Sequence, residues 1–209
     1  MDFAFYSTFD RNWHRHYFKF NRNEKVFESV KMKPKILSRK IKYKGLWLNV
    51  ESKKIKLPAG QIVEWENTVA PNFVAIVALD DKNNIYLSKE GRSAWEKEIL
   101  QIPAGGIEKK NKKRIVKQAR DELREEVGFV AKRIEKLVTV CFSARDKKII
   151  HLFLAQDLFR SDRRPDADEI IKVVKMPFKK AYKLFLSGRE LTTSYTLLGM
   201  ALAKEKLKI

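Results

Sequence analysis

Between Asp121 and Phe129 the chain reads Asp-Glu-Leu-Arg-Glu-Glu-Val-Gly-Phe. On a helix this spacing stacks Glu122, Glu125 and Glu126 on one face, because residues three and four apart are neighbours there. Like charges so placed repel by roughly 0.2–0.5 kcal/mol per pair. Two environments relieve that repulsion: a solvated face neutralised by the surrounding lysines, or a bound cation. Clustered carboxylates select hard, oxygen-seeking cations, and Mg²⁺ (or Mn²⁺) leaves part of its shell to water and to substrate phosphates. The chemistry this points to is metal-assisted hydrolysis of a diphosphate.

Just upstream lies Gln101-Ile-Pro-Ala-Gly-Gly-Ile-Glu108, a strand-like end running into a Pro/Gly turn. With these residues the chain resembles the Nudix hydrolases, whose box runs Gly-x5-Glu-x7-Arg-Glu-U-x-Glu-Glu-x-Gly-U, where U is bulky and apolar, usually after Pro-Ala. Glu122 falls on the Glu of Arg-Glu-U, Glu125 and Glu126 on the Glu pair, Gly128 on the Gly and Phe129 on the final U. The first half departs from the pattern. Counted from Gly105, the stretch to Glu122 is longer by two residues, an insertion around Lys109–Arg114. The mid-loop Glu is replaced by Asn111 or Lys113, and Asp121 stands where the family has Arg. Arg120 and Arg124 are the candidates to take over that residue's hold on the glutamates, although neighbouring helix positions point elsewhere.

Beyond the box, Tyr43-Lys-Gly-Leu-Trp-Leu-Asn49, Lys56-Leu-Pro-Ala-Gly-Gln61 and Val69-Ala-Pro with Ala75-Ile-Val-Ala-Leu79 are similar to the opening strands of the ADP-ribose pyrophosphatase branch. His151-Leu-Phe-Leu-Ala155 and Asp166-Ala-Asp-Glu-Ile170 resemble that branch's strand and acidic loop after the box. The resemblance implies an α+β fold: a Nudix-like α/β/α sandwich with a mixed sheet, preceded by an N-terminal strand meander through which the chain forms a homodimer. It places the cation on Glu122 and Glu126, helped by Glu125 and the carbonyl of Ala104. Arg92 and Gly105 then face the substrate phosphates, Glu125 joins the catalytic set, and Glu169, or else Asp168, is the general base. The implied substrate is a small nucleoside diphosphate derivative such as ADP-ribose or an ADP-sugar. Ser143-Ala-Arg-Asp146 replaces the branch's Ser-Pro-Gly and acidic pair, which leaves GDP-sugars and dinucleotides open as well. Rival readings are a Nudix scaffold that holds nucleotide or RNA without turnover, and an interaction module docking through its aromatic arm.

The elements that must position these residues are legible from periodicity. From Ile36 to Glu66, three apolar alternations broken by Lys44-Gly45 and Pro58-Ala-Gly60 predict a strand meander. The continuous apolar run Asn72–Leu79 predicts a central strand, with Asn84–Ser88 as its hairpin partner. Val116, Ala119, Leu123 and Val127 define the inward stripe of a helix starting near Lys112 or Lys113 and stopped by Gly128, with the glutamates along its rim. Strands follow over 134–142 and 149–155, a helix over Phe178–Ser187, and a last helix from about Ser194 to Lys206 after Thr192 or Thr193.

The 209 residues, 44% of them hydrophobic, suffice for one domain with a sizeable core plus a short arm. The divisions expected are an aromatic and basic arm over 1–35, dimerising strands over 36–70 and the Nudix-like domain over 71–209. Aromatics interleaved with arginines in the arm suit nucleobase stacking, but packing against a partner subunit is the commoner use, so nucleic acid is not the favoured ligand. His14 and His16 lack the further ligands of a metal site. No apolar run spans a bilayer and no signal-like start is present, which reads as a cytoplasmic, soluble protein without a membrane partner. The net charge of +19 draws in anionic substrates. Cys141, the lone cysteine, reads as a small buried hydrophobe, and Trp47 and Trp95 as packing residues.

Overall fold

The computed structural model describes residues 34–107, 114–162 and 170–209. Most of the aromatic arm, the insertion before the helix, and Asp168 and Glu169 therefore lie outside the described residues. Eleven strands and three helices are described: β1 (Lys35–Lys44), β2 (Asn49–Lys56), β3 (Ile62–Val69), β4 (Phe73–Leu79), β5 (Asn84–Arg92), β6 (Lys97–Gln101), β7 (Ala104–Gly106), α1 (Ile115–Val127), β8 (Phe129–Cys141), β9 (Asp146–Lys147), β10 (Ile149–Arg160), β11 (Ile171–Pro177), α2 (Phe178–Leu186) and α3 (Ser194–Leu207). They form a mixed sheet of order β11-β5-β4-β10-β8, with β6 added to β5 and β7 to β4, and a smaller sheet of order β1-β2-β3-β9. The α+β sandwich expected from the sequence is the fold observed.

Strand β4 explains the layering. Its residues Val74 to Leu79 are all buried, Ala75, Val77 and Leu79 against α2 and α3, and Val74, Ile76 and Ala78 against α1. A strand covered on both faces needs a continuous apolar run, since period-two alternation sends successive side chains to opposite layers. Strand β10 runs parallel to β4, pairing Leu152 with Ala75 and Leu154 with Val77, and divides its side chains in the same way.

The strands split where the site forms. Only the last part of β4 pairs with β5, at Ala78↔Tyr86 and Leu79↔Ile85. Its first part pairs instead with β7, aligning Ala104 with Ala75 and Gly105 with Val74, while the far end of β5 pairs with β6. The wedge between the diverging strands is thus filled by the segment containing Pro103, whose carbonyl accepts from Ile76 N–H at 2.9 Å.

Several expectations need correction. Cys141 is exposed, because β8 is the edge strand of the larger sheet. Trp47 and Trp95 are 75% and 61% exposed, since they sit in the turns after β1 and β5 and not on paired strand faces. In α1, Val116 is exposed and Ile115 supplies the inward contact of the first turn, so the buried arc is rotated toward the acidic side.

Candidate active site

That rotation decides the environment of the glutamates. The buried residues of α1 are Gln118, Ala119, Leu123, Glu126 and Val127, so Glu126 lies inside the buried arc and not along its rim. The helix stops at Gly128, whose left-handed φ of +75° lets its N–H reach Arg124 O at 3.0 Å, as the sequence predicts. The stop turns the chain directly into β8 and anchors the acidic turn of α1 over β7.

Glu126 Oε1 accepts from the Ala104 N–H at 3.0 Å, and its Oε2 is buried without a hydrogen-bond partner. Burial pushes the Glu126 carboxyl up to about 8, against the pull of the Ala104 N–H, and the nearby charges of Glu122 and Glu90 add to the rise; the neighbouring Ser88 hydroxyl is itself buried without a hydrogen-bond partner. Glu122 lies across the Gly105 backbone: a Cβ on Gly105 would fall 2.2 Å from its carboxyl atoms. The glycine here is a requirement of close approach. Gln118 Nε2 donates to Glu122 Oε1 at 2.8 Å, from the preceding turn of the helix.

The candidate residues Ala104, Gly105, Glu122 and Glu126 are brought together. Glu125 is turned to Arg124, whose Nη2 stands 3.3 Å away. Asp121, in place of the box arginine, pairs with Lys117 at 2.5 Å and faces away from the buried arc. Arg120 is spent on the carbonyl of Ala131, so of the two candidate substitutes only Arg124 meets an acid of the box. Among the described residues no group of three or more His, Cys, Asp or Glu side chains is placed to hold a metal ion. The donor set nevertheless suits a hard cation: two carboxylates one helical turn apart, one of them with an orphaned buried oxygen, beside the Ala104 backbone.

Several polar neighbours of this site escaped the sequence reading. On β5, Tyr86, Ser88 and Glu90 alternate onto the α1 side, and Glu90 Oε2 receives Arg92 Nη2 at 2.8 Å and Gln101 Nε2 at 3.4 Å. Gln101 is fully buried, and its Oε1 accepts from Tyr195 Oη of α3 at 2.9 Å. Burial raises the Glu90 carboxyl above its ordinary range, while Arg92 lowers it. Period-two alternation along β5 was the available signal for Ser88 and Glu90; nothing local announces Tyr195.

The chain is 30% identical over 168 residues to the ADP-ribose pyrophosphatase of Bacillus subtilis (strain 168), covering 79% of this chain and 89% of that one. The chain belongs to the Nudix hydrolases, in their ADP-ribose pyrophosphatase-like branch. A second relative by sequence, 27% identical over 179 residues, is the methanol dehydrogenase activator of Bacillus methanolicus, with 84% of this chain and 92% of that protein aligned. An ADP compounds hydrolase has the same fold, with a TM-score of 0.75 at 24% identity over 84% of this chain and 95% of its own. No family model matches the chain. For this Nudix chain the altered first half of the box is the evident departure, and the described geometry shows Asp121 drawn outward by Lys117.

Proposed function

We propose that this Nudix chain hydrolyses the pyrophosphate bond of a nucleoside diphosphate-linked substrate, ADP-ribose or an ADP-sugar, with Mg²⁺ or Mn²⁺ as its cofactor. The observation that carries the reading is Glu126: a nearly fully buried carboxylate held by the Ala104 N–H, one oxygen unpartnered, with Glu122 across Gly105. A buried acid without a cation is a liability. Glu122, Glu126 and the Ala104 carbonyl would hold the ion, with Glu125 as a further ligand. When bound, the cation supplies Lewis-acid polarisation of the phosphate and charge neutralisation. Gly105, which admits the Glu122 carboxyl against the backbone, lies beside the substrate phosphates in this scheme, and the Arg92 guanidinium suits paired hydrogen bonds to phosphate oxygens. Glu169, or else Asp168, takes the proton from the attacking water.

The homology to an ADP-ribose pyrophosphatase supports the substrate class. The surface of the smaller sheet supports a homodimer through β1–β3, since Ile41, Tyr43, Ile62 and Trp65 are all exposed in the single chain. The test is Mg²⁺-dependent release of AMP from ADP-ribose. Wild-type protein is expected to release it and to stop on chelation, and Glu126→Gln to abolish release while leaving the thermal unfolding curve nearly intact. Full activity in Glu126→Gln rules the assignment out.

A further inference from the structure

A chain of polar side chains runs from the start of α3 to Arg92, through residues that have no part in the hydrolytic scheme above. Tyr195 Oη donates to Gln101 Oε1 at 2.9 Å, Gln101 Nε2 donates to Glu90 Oε2 at 3.4 Å, and the same oxygen receives Arg92 Nη2 at 2.8 Å. Tyr195 and Gln101 are buried, and the Glu90 side chain is mostly so, whereas Arg92 keeps about a third of its surface in solvent. The order is that of an anchored base and a free tip.

The donor directions allow one arrangement. Burial pushes the Tyr195 phenol up to about 12, so it remains an O–H donor at neutral pH. An amide that accepts on Oε1 must turn its Nε2 the other way, toward Glu90. Glu90 is then an acceptor on both sides and stays matched to the guanidinium. Its position is otherwise unfavourable, because it lies close enough to Glu126 to raise that carboxyl further. A third acid beside an already crowded pair is explained if its work is to hold a cation in place. The base of the chain is itself fixed: Thr192 Oγ1 donates to Leu100 O at 2.7 Å and Ile102 N–H donates to Thr196 Oγ1 at 3.1 Å. Residues 192, 195 and 196 thereby bind three successive residues of the segment that leads into Ala104.

We propose that Glu90 is a positioning residue that orients Arg92 toward the substrate's diphosphate, with Gln101 and Tyr195 fixing the direction of Glu90. The proposal rests on the hydrolase reading for the identity of the ligand. Only one guanidinium edge is used by Glu90, which leaves the other donors of Arg92 for phosphate oxygens. Preorganising a long side chain removes part of the entropy lost on binding. Arg92 without its anchor therefore binds diphosphate more weakly, and Glu90 without Arg92 contributes nothing to it.

The test is a double-mutant cycle on the dissociation constant for ADP, measured by calorimetry in Mg²⁺, with thermal unfolding recorded for each variant. Glu90→Gln, which keeps the shape of the side chain, is expected to raise Kd by roughly five- to tenfold. Added to Arg92→Ala, the same change is expected to move Kd by less than about twofold, because coupled residues are not additive. Tyr195→Phe is expected to shift Kd in the same direction by about two- to threefold, and that shift also vanishes in Arg92→Ala. Equal effects of Glu90→Gln in both backgrounds, or an unchanged Kd, overturn the proposal, as does a wild-type protein that does not bind ADP. Turnover of ADP-ribose is followed separately. A wild-type protein that binds ADP without cleaving ADP-ribose sinks the hydrolase reading, while the cycle still decides the role of Glu90.

Discussion

The two sheets of this chain live under different conditions. In the larger sheet β4 is buried on both faces, between α1 on one side and α2 and α3 on the other. In the smaller sheet every residue of β1 is exposed, including Ile36, Leu37, Ile41 and Tyr43. The first sheet has its covering layers within the same chain; the second displays apolar side chains over which, among the described residues, no helix is laid. Stability should therefore be concentrated in the first and association in the second. The site belongs to the first, at the wedge where β4 and β5 part, so that its donors are held by the sheet whose central strand is buried on both faces.

The contrast can be broken most forcefully in the core. Leu152 is fully buried against α3, and Leu152→Ala should cost about 2–5 kcal/mol in denaturant unfolding. A loss below about 1 kcal/mol would mean that β10 is not the framework it is taken to be. Next in size is Gly105→Ala, which would drive a Cβ into the Glu122 carboxyl. We expect turnover of ADP-ribose to fall by roughly 100-fold, as small displacements of reacting groups do. Near-normal rates there would show that Glu122 stands elsewhere during the reaction.

A third effect concerns acid stability at the β4–β5 turn. Burial alone would raise the Asp80 carboxyl, but Lys175 at 2.8 Å and the Asn84 side chain and N–H outweigh it and hold it at about 2. A folded pKa below the unfolded one stabilises the protein above the unfolded pKa, and that contribution disappears as pH falls through the folded value. Because the exposed Lys175 is screened by solvent, wild type should exceed Asp80→Asn by roughly 1 kcal/mol near neutrality, with the gap closing between about pH 4 and 2. A gap that does not change with pH over that range contradicts the assignment. The smallest change in folding stability belongs to the other sheet. Ile41→Ser should alter monomer unfolding by no more than about 0.5 kcal/mol, as exposed substitutions do. Its effect should appear in sedimentation, as a weakened dimer; an unaltered association state would remove the reason given for the exposed apolar surface.

Much of this was written in local pattern. The continuous apolar run of β4 and the glycine that stops α1 follow from periodicity and backbone geometry and stand where the sequence puts them, whereas of the glutamates at helical spacing Glu126 lies inside the buried arc and Glu125 turns to Arg124. What stayed hidden depends on strand order and long-range contact. Cys141 lies in an apolar run, but that run belongs to an edge strand, and edge position is not a local property. Val116 has the right spacing for the buried stripe, yet the helix is rolled so that Ile115 faces inward in its place. Tyr195 and Gln101 are 94 residues apart, and only the docking of α3 onto the sheet brings them within hydrogen-bond reach. Glu90 shares its strand face with Ser88 by period-two alternation, but its pairing with Arg92 and Gln101 is not a property of the local pattern.

The central claim is that Glu122 and Glu126 converge beside Ala104 to bind a divalent ion. Titration of Mn²⁺ into the wild-type protein and Glu126→Gln, followed by electron paramagnetic resonance of the free ion, tests it without recourse to turnover. The wild type should take up Mn²⁺ with an affinity at least about tenfold above that of the variant, since a charged ligand is lost from the site. Identical binding curves for the two proteins would contradict the claim.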